Sequence, residues 1–304
     1  MSSPSIQWYP GHIAKAERSL KEQLKRVDVV LEVRDARIPV ATHHPQVDGW
    51  IGDKARVLVL NRVDMVSPGA REAWQLWFKA QGQTIYFTNA KQGNGVQNLL
   101  RAAQDAGKAM NERRKSRGMK PRPVRAVVIG FPNVGKSALI NRLLKRKVVV
   151  SERRAGVTRQ LRWVRVSNEI ELLDAPGIIP LKLNNQDAAL KLAICDDIGN
   201  AAYDTQRVAA AFVDLIRELD RRADAEGYGA AIAARYDLPL VSDTGESYTG
   251  ESYLTALAQR HNDDLERAAH QILNDFRKGS LGNLVLELPP VEAAEAILPI
   301  VARA

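Results

Sequence analysis

Residues 130–137 bring glycines, a lysine and a hydroxyl side chain into one short stretch, Gly-Phe-Pro-Asn-Val-Gly-Lys-Ser. The pattern G-x-x-x-x-G-K-[ST] is typical of a loop whose backbone N–H groups surround phosphates at the start of a helix. In such a loop Lys136 contacts the β- and γ-phosphates of a nucleotide, and Ser137 binds Mg²⁺. An apolar run precedes the loop and a helical pattern follows it, as this chemistry requires. We therefore predict a phosphate-binding loop whose nucleotide contacts come from Asn133, Val134, Gly135, Lys136, Ser137 and Ala138.

Two segments further along the chain are expected to complete a metal site. Asp174 follows an apolar run and opens Asp-Ala-Pro-Gly, 37 residues after Ser137. There its carboxylate can reach Mg²⁺ through water, and the Gly177 N–H can contact a γ-phosphate. Between them lies Thr158, which we interpret as a switch residue that closes on Mg²⁺ only while the γ-phosphate is present; an ordinary loop threonine is the alternative. The predicted metal-binding residues are Ser137, Thr158 and Asp174.

The segment Asn61-Arg62-Val63-Asp64 follows another apolar run and suits recognition of a base. The two oxygens of Asp64 can accept hydrogen bonds from N1–H and N2–H₂ of guanine. Adenine offers neither donor, so this position predicts strong selection of guanine. Asn61 can reach O6 or N7 of the base and brace the loop. Arg62 stands where lysine is usual, and its planar head can stack on the base.

A second, weaker base-side signal is Asn89-Ala90-Lys91, which ends a third apolar run. It is expected to support the base through the Ala90 N–H, which would donate to O6 of guanine. Together with the upstream segment, the predicted base-binding residues are Asn61, Arg62, Val63, Asp64, Asn89 and Ala90.

These segments belong to an alternation of apolar runs and helical patterns, which predicts an α/β fold with a parallel sheet. Beyond Pro180 the apolar residues recur at helical spacing, which predicts a second, smaller α-helical domain with a helix stop at Gly279. A near-repeat, Gly-Glu-Ser-Tyr at 245–248 and again at 250–253, is interpreted as a flexible loop without function. Strands are expected at 27–33, 56–60, 84–88, 124–129, 161–166 and 170–173, and helices at 71–79, 96–113 and 136–144.

The order of the motifs is rotated relative to an ordinary GTPase, because the base-reading segments precede the phosphate loop. Two further segments accompany this order, Trp-Tyr-Pro-Gly-His at 8–12 and Asp-Ala-Arg-Ile-Pro at 35–39. Together these features resemble the YlqF/YawG family of circularly permuted GTPases. The resemblance implies a P-loop GTPase sheet in circularly permuted order and hydrolysis of GTP to GDP and phosphate. It also implies three regions: a permuted GTPase domain at 1–180, an α-helical RNA- or ribosome-binding domain at 181–282, and a tail at 283–304.

The same resemblance implies a role in a late step of assembly of the large (50S) ribosomal subunit, in contact with its rRNA. Two alternatives stay open: a weakly hydrolysing GTP-binding rRNA scaffold, and a GTPase that acts on another RNA or at a membrane. The expected partners are GTP or GDP and the large subunit, for a cytoplasmic monomer without a membrane. Departures from the family pattern are Arg62 for lysine, Ala138 where threonine is frequent, and an Ala/Pro-rich tail beyond Pro290.

The residue that activates water is not evident from the motifs. Ile178 occupies the place where many GTPases have a glutamine that orients the attacking water, so slow basal hydrolysis is expected. The family resemblance points to His12, which is chemically suited to the task; a structural hydrogen bond or an rRNA contact are the alternatives. Asn133 suggests K⁺ beside the phosphates, as in a subset of GTPases. The predicted catalytic residues are His12, Lys136 and Thr158.

Composition limits the class of protein and of partner. The chain has 304 residues, 45% of them hydrophobic, with a formal net charge of +9, which indicates a packed fold with an anionic partner such as nucleic acid or a membrane surface. A single cysteine, Cys195, excludes an intrachain disulfide. No apolar run reaches the ~18–20 residues of a membrane helix, and we expect no secretory signal at the N-terminus. A basic connector holds eight cations and one acid, namely Lys108, Arg113, Arg114, Lys115, Arg117, Lys120, Arg122 and Arg125 with Glu112.

Overall fold

A six-stranded sheet organises the first part of the chain. In the computed structural model, residue 6 and residues 13–145, 162–174, 185–221, 227–241 and 247–290 are described. The strand order is β3-β2-β1-β4-β6-β5, in which only β5 is antiparallel to its neighbour. The strands are β1 (Val29–Asp35), β2 (Ala55–Asn61), β3 (Ile85–Thr88), β4 (Val124–Ile129), β5 (Arg162–Arg165) and β6 (Ile170–Asp174).

The parallel strands place the predicted site residues along one edge. Asp35 at the end of β1 is in register with Asn61 at the end of β2, which in turn pairs with Thr88 at the end of β3. β4 leads into the phosphate loop from the middle of the sheet, between β1 and β6. The permuted order therefore produces one carboxyl edge at which loops from both halves of the domain meet. The prediction of a parallel α/β sheet is confirmed, with each strand displaced by two residues or fewer.

Helices cover both faces of the sheet and bury its apolar strands. All seven residues of β1 are buried, as expected for a central parallel strand. The helix α4 follows β3 after the loop at 89–95 and returns to the opposite edge, from which β4 starts. The helices of this part are α1 (Ile13–Leu24), α2 (Val47–Ile51), α3 (Pro68–Ala80), α4 (Val96–Ser116) and α5 (Lys136–Leu143).

The second part is helical, as predicted, and α7 is its centre. Phe212 on α7 and Phe276 on α10 pack with ring centroids 5.0 Å apart, and α10 ends at Gly279, whose φ of 78° favours glycine. The sequence analysis did not define α6, α8 and α9, which have only nine residues each. The helices are α6 (Gln186–Ile194), α7 (Thr205–Asp220), α8 (Tyr228–Tyr236), α9 (Gly250–Ala258) and α10 (Leu265–Lys278).

The second copy of the near-repeat forms the start of α9, so its interpretation as a flexible loop is corrected. Thr249 caps the helix by accepting from the Ser252 N–H at 3.1 Å. Gly250 lies against the backbone of Ala210 on α7, where a Cβ atom would collide with the Ala210 carbonyl. Glycine is therefore required for the close approach of α9 to α7. The first copy lies outside the described residues except for Ser247 and Tyr248.

The expected tail begins as a packed segment. Residues 281–288 run back to the α/β part, and the Leu286 N–H donates to the Arg37 carbonyl at 3.1 Å. The Trp74 indole N–H donates to the Glu287 carbonyl at 3.3 Å, and the Glu287 carboxylate accepts from the Val40 N–H at 2.7 Å. The buried residues beyond the predicted boundary at residue 283 include Leu284, Val285, Leu286 and Glu287, and the boundary itself stays a prediction.

Within the described ranges, every helix is too short or too polar to cross a membrane.

Candidate nucleotide site

The phosphate loop has the backbone conformation that its glycines allow. Gly130 and Gly135 have φ values of 150° and 97°, where a side chain is strained. A Cβ on Gly130 would meet the Val33 carbonyl of β1, and a Cβ on Gly135 would meet the Asn61 amide. The two glycines therefore serve close approach to the neighbouring strands as well as loop geometry. The loop ends at α5, whose first residue is Lys136.

Lys136 is folded into its own loop. Its side chain is 6% exposed, and the ammonium donates to the carbonyls of Phe131 at 2.6 Å and Gly130 at 3.1 Å. These two carbonyl contacts keep a buried cation solvated by protein dipoles. The cation is thus held at the centre of the loop, the place where phosphate oxygens are expected.

Asn61 connects three segments of the site. Its Nδ2 donates to the Val134 carbonyl of the phosphate loop at 2.9 Å. Its Oδ1 accepts from the Thr88 hydroxyl at 3.1 Å and from the Ala90 N–H at 3.0 Å. The side chain is 3% exposed. Asn61 therefore braces the loops, as we predicted in part. The Ala90 N–H, expected on O6 of guanine, here has Asn61 as its acceptor.

The remaining base-side residues surround that brace. Asp64 is exposed in a short 3₁₀ turn, Val63–Met65, which leaves its carboxylate accessible to a ligand. Asn89 is buried, and its Oδ1 accepts from the Gln92 N–H at 3.0 Å. Arg142 of α5 donates to the Ala90 carbonyl at 3.2 Å. The base-side loop is thus tied to the helix that follows the phosphate loop.

Arg62 contacts the phosphate loop and lies near two buried aspartates. Its guanidinium donates to the Asn133 carbonyl at 2.5 Å, and its Nε lies 3.4 Å from an Asp35 oxygen. Nη2 lies 4.0 Å from Asp197. This arginine thus joins the base-reading segment to the phosphate loop, and its stacking on the base stays a prediction. Lysine at this position lacks the planar fork that makes several such contacts possible.

Asp35 and Arg37 form a fully buried ion pair below Arg62. Arg37 donates from Nη2 to one Asp35 oxygen at 2.7 Å and from Nε to the other at 3.0 Å. Burial acts to raise the pKa of Asp35, but Arg37 and Arg62 together hold that pKa below its ordinary value. Arg37 also donates to the Cys195 carbonyl at 3.3 Å and lies 5.2 Å from the Phe276 ring. This pair therefore links the sheet to the helical domain.

The helical domain also contacts the phosphate loop directly. The Asn133 amide donates to the Asp196 carbonyl at 2.6 Å, and both residues have positive φ values, 57° and 65°. The neighbouring Asp197 is fully buried, and within the described residues neither of its oxygens accepts a hydrogen bond. Burial and the nearby Asp35 raise the pKa of Asp197 well above its ordinary value. This contact could not be predicted, because the Asp196-Asp197 pair belongs to no recognisable motif.

A second buried carboxylate lies beneath the phosphate loop. Glu32 on β1 pairs with Arg34 at 2.7 Å; burial works to raise its pKa, but hydrogen bonds and charges from His43, Arg34 and Arg56 lower it to about 2. Nearby His44 packs against Trp50 at a centroid distance of 4.4 Å and against Phe131 of the loop at 6.4 Å. Burial lowers the pKa of His44 to about 4, which keeps its imidazole neutral.

The described part of the expected metal site has suitable oxygen donors. Ser137 lies in the first turn of α5, next to Lys136. Asp174 ends β6 in register with Val128, two residues before the loop begins at Gly130. Hydroxyl and carboxylate oxygens are ligands that Mg²⁺ prefers, so these residues fit the ion. The other expected residues, Thr158, Gly177, Ile178 and His12, lie outside the described residues.

Comparisons with known proteins agree with this geometry. Residues 125–226, which include the phosphate loop, match the protein family described as 50S ribosome-binding GTPase. Ribosome biogenesis GTPase A from Bacillus pumilus is 35% identical over 94% of this chain and 99% of its own length. The protein of the same name from Bacillus cereus is 34% identical over 93% and 94%.

A solved structure shows the same fold. GNP-bound YlqF from T. maritima superposes with a TM-score of 0.58 and 24% identity, over 90% of this chain and 98% of that one. The likeness extends across both the sheet and the helical part.

Proposed function

Because this chain belongs to the ribosome biogenesis GTPase A family, we propose that it acts in a late step of assembly of the large (50S) ribosomal subunit. The chain is a GTPase and hydrolyses GTP to GDP and phosphate. In this proposal the assembling particle sets the timing of hydrolysis. The partners are the large subunit and its rRNA, and the protein works as a monomer in the cytoplasm.

The observation that carries the proposal is the three-way contact of Asn61. A single buried side chain ties the base-reading segment to the third strand and to the phosphate loop. The base and phosphate sites are therefore held at a fixed separation, as binding of one nucleotide requires. Asp64 supplies the guanine-specific acceptors in this arrangement.

In the proposed mechanism, the phosphates of GTP replace the loop carbonyls as partners of Lys136. The ammonium then offsets the negative charge that develops during transfer. Ser137, Thr158 and Asp174 would hold Mg²⁺, which would neutralise phosphate charge. Asn133 has its amide N–H₂ on the Asp196 carbonyl, so its Oδ1 is the atom proposed for K⁺.

Hydrolysis and particle binding test this proposal together. We expect Lys136→Ala to reduce GTP turnover at least ~100-fold, as loss of a preorganised charge donor does, whereas the exposed control Lys79→Ala keeps it. Co-sedimentation with large subunits should differ between GDP and a slowly hydrolysed GTP analogue, and weaken across a salt series. Equal pelleting in all conditions contradicts a GTP-timed role, and unchanged turnover of Lys136→Ala contradicts the phosphate-loop assignment.

A further inference from the structure

The positive charge of the chain is unevenly divided between its two parts. Residues 1–180 contain 32 Lys and Arg against 15 Asp and Glu, whereas residues 181–282 contain 11 against 17. A polyanion is attracted by net positive charge and repelled by net negative charge. The long-range attraction for RNA therefore comes from the GTPase domain, and the helical domain, expected from the family resemblance to bind RNA, opposes it.

Exposed cations of this domain collect at the edge of the sheet opposite the nucleotide site. α4 starts at the base-side loop and runs for 21 residues, which at 1.5 Å per residue is about 30 Å. The chain then enters β4 at its amino end, at Val124. The last turn of α4 and the connector at 117–123 consequently lie at the amino edge, roughly a domain diameter from the phosphate loop.

We define the amino-edge surface as five exposed cations. In the described part of the chain, none of them forms an ion pair with a carboxylate. Those on α4 lie at its C-terminus, where cations are favoured by the helix dipole. The five residues are Arg26, Arg113, Lys115, Arg117 and Lys120.

The connector that carries this surface is anchored. Arg122 forms a bidentate pair with Asp28, at 2.8 and 2.9 Å, two residues after Arg26. Asn111 of α4 donates to the Arg122 carbonyl at 3.0 Å and accepts from its N–H at 3.1 Å. The cations are therefore held on fixed backbone before any ligand binds, which lowers the ordering cost of binding.

The surface suits phosphates better than a membrane. A helix that lies on a bilayer needs an exposed apolar face, but the apolar face of α4 is buried against the sheet. Met119, 40% exposed, is the large apolar side chain that the described connector presents to solvent. Proteins contact the phosphates of a nucleic acid backbone with exposed cations, and such contacts need no apolar stripe.

We propose that the amino-edge surface binds the phosphate backbone of RNA, and that it binds equally in the GDP and GTP states. That this RNA is rRNA rests on the proposed function. Its independence of nucleotide follows from the ~30 Å that α4 places between this surface and the phosphate loop. The surface thus anchors the protein on the particle, while the nucleotide site changes the remaining contacts.

The test compares two fourfold variants of the full chain. The first replaces cations of the surface, as Arg113→Gln, Lys115→Gln, Arg117→Gln and Lys120→Gln. The matched control removes four exposed cations from the helical domain, as Arg207→Gln, Arg221→Gln, Arg267→Gln and Lys278→Gln. Binding is measured to a mixed-sequence RNA hairpin across a KCl series, with GDP and with a slowly hydrolysed GTP analogue.

We expect the surface variant to bind RNA about 10–100-fold more weakly, with a salt slope smaller by about 3, in both nucleotide states. The control variant loses the same amount of positive charge but should lose much less RNA affinity than the surface variant, and GTP turnover without particles should be unchanged in both. Three results would overturn the proposal. They are parent-like RNA affinity of the surface variant, an equal loss of RNA affinity in the control variant, and a surface variant that loses binding to phosphatidylserine vesicles but not to RNA. If the parent binds the hairpin but not large subunits, the proposed function fails and the surface stands.

Discussion

The guanidinium of Arg62 donates a hydrogen bond to the Asn133 carbonyl across 2.5 Å, and so joins the base-reading segment to the phosphate loop. Asn133 in turn donates to the Asp196 carbonyl of the helical domain at 2.6 Å. A continuous chain of contacts thus runs from the base site through the phosphate loop to the second domain. These contacts connect the two nucleotide-binding segments with the residues that follow α6.

Removal of this link is expected to weaken nucleotide binding without changing base preference. A hydrogen bond from a charged group contributes about 1.5–3 kcal/mol, so Arg62→Ala should raise the Kd for GDP by roughly 10-fold or more. Selection of guanine over adenine should persist because Asp64 is intact. Isothermal titration with GDP and ADP checks both statements, beside the exposed control Arg101→Ala. A parent-like GDP affinity of Arg62→Ala contradicts this role of the contact.

Asp64 is expected to decide which base is bound. Asp64→Asn replaces an acceptor by a donor, so GTP should bind at least ~100-fold more weakly while xanthosine triphosphate is tolerated better. Competition against a fluorescent GDP measures the two affinities, with the exposed Asp53→Asn as a matched control. Equal competition by ATP and GTP in the unmutated protein would remove Asp64 from this role.

Most of the sheet could be predicted because parallel strands bury both faces and appear as short apolar runs. Val124–Ile129 was predicted to the residue, since the phosphate loop fixes its end. The lysine and glycines of the loop were equally predictable, because their chemistry restricts residue type and spacing. In contrast, α6, α8 and α9 are short helices whose position depends on tertiary contacts, such as that of Gly250 with α7.

The roles of Arg37 and Arg62 could not be predicted from the sequence. Asp35-Ala36-Arg37 was noted only as part of a family resemblance, and the pair it forms is local. Its contact with the Cys195 carbonyl joins residues 158 positions apart, which no spacing rule anticipates. We expected Arg62 at the base because the lysine that is usual at this position lies along the base. Its head is held instead by the Asn133 carbonyl and lies close to Asp35, contacts that its position in the sequence does not indicate.

His44 predicts a specific dependence of stability on pH. Its folded pKa of about 4 lies below the ordinary 6.5, so its contribution is full above pH 6.5 and is lost as the pH falls toward 4. At pH 5 the loss is about 2 kcal/mol. Glu32, whose pKa falls from 4.5 to about 2, contributes its own loss only below pH 4.5. Because the pKa values of Asp197 and Glu287 are raised, the share of the histidine between pH 7.5 and pH 5 is obtained by comparison with a variant that lacks only this imidazole.

The corresponding measurement uses His44→Phe, which keeps an aromatic ring against Trp50 without a titrating group. The free energy of unfolding by urea should fall by about 2 kcal/mol less between pH 7.5 and pH 5 in this variant than in the parent. His270→Phe, at an exposed position on α10, serves as the control. An equal decrease in His44→Phe and the parent contradicts the assignment of a neutral buried imidazole.

His12 is expected to matter mainly when the particle is bound. In the sequence it directly precedes α1. Because four residues separate the end of α1 from the start of β1 at the amino edge, we infer that the first residue of α1, Ile13, lies toward the carboxyl edge and the phosphate loop. Ile178 provides no hydrogen bond to water, so the basal rate of the isolated protein should be low.

His12→Ala should then reduce particle-stimulated turnover by roughly 10²–10⁴, the contribution of a positioned acid–base group. GTP affinity should stay unchanged, because the predicted base- and phosphate-binding residues do not include this histidine. The measurement is kcat with and without large subunits for the parent, His12→Ala and the control His261→Ala, together with nucleotide affinity and particle binding. Full stimulation of a His12→Ala variant that binds the particle normally removes this residue from the mechanism and leaves K⁺ at Asn133 or groups of the ribosome to activate water.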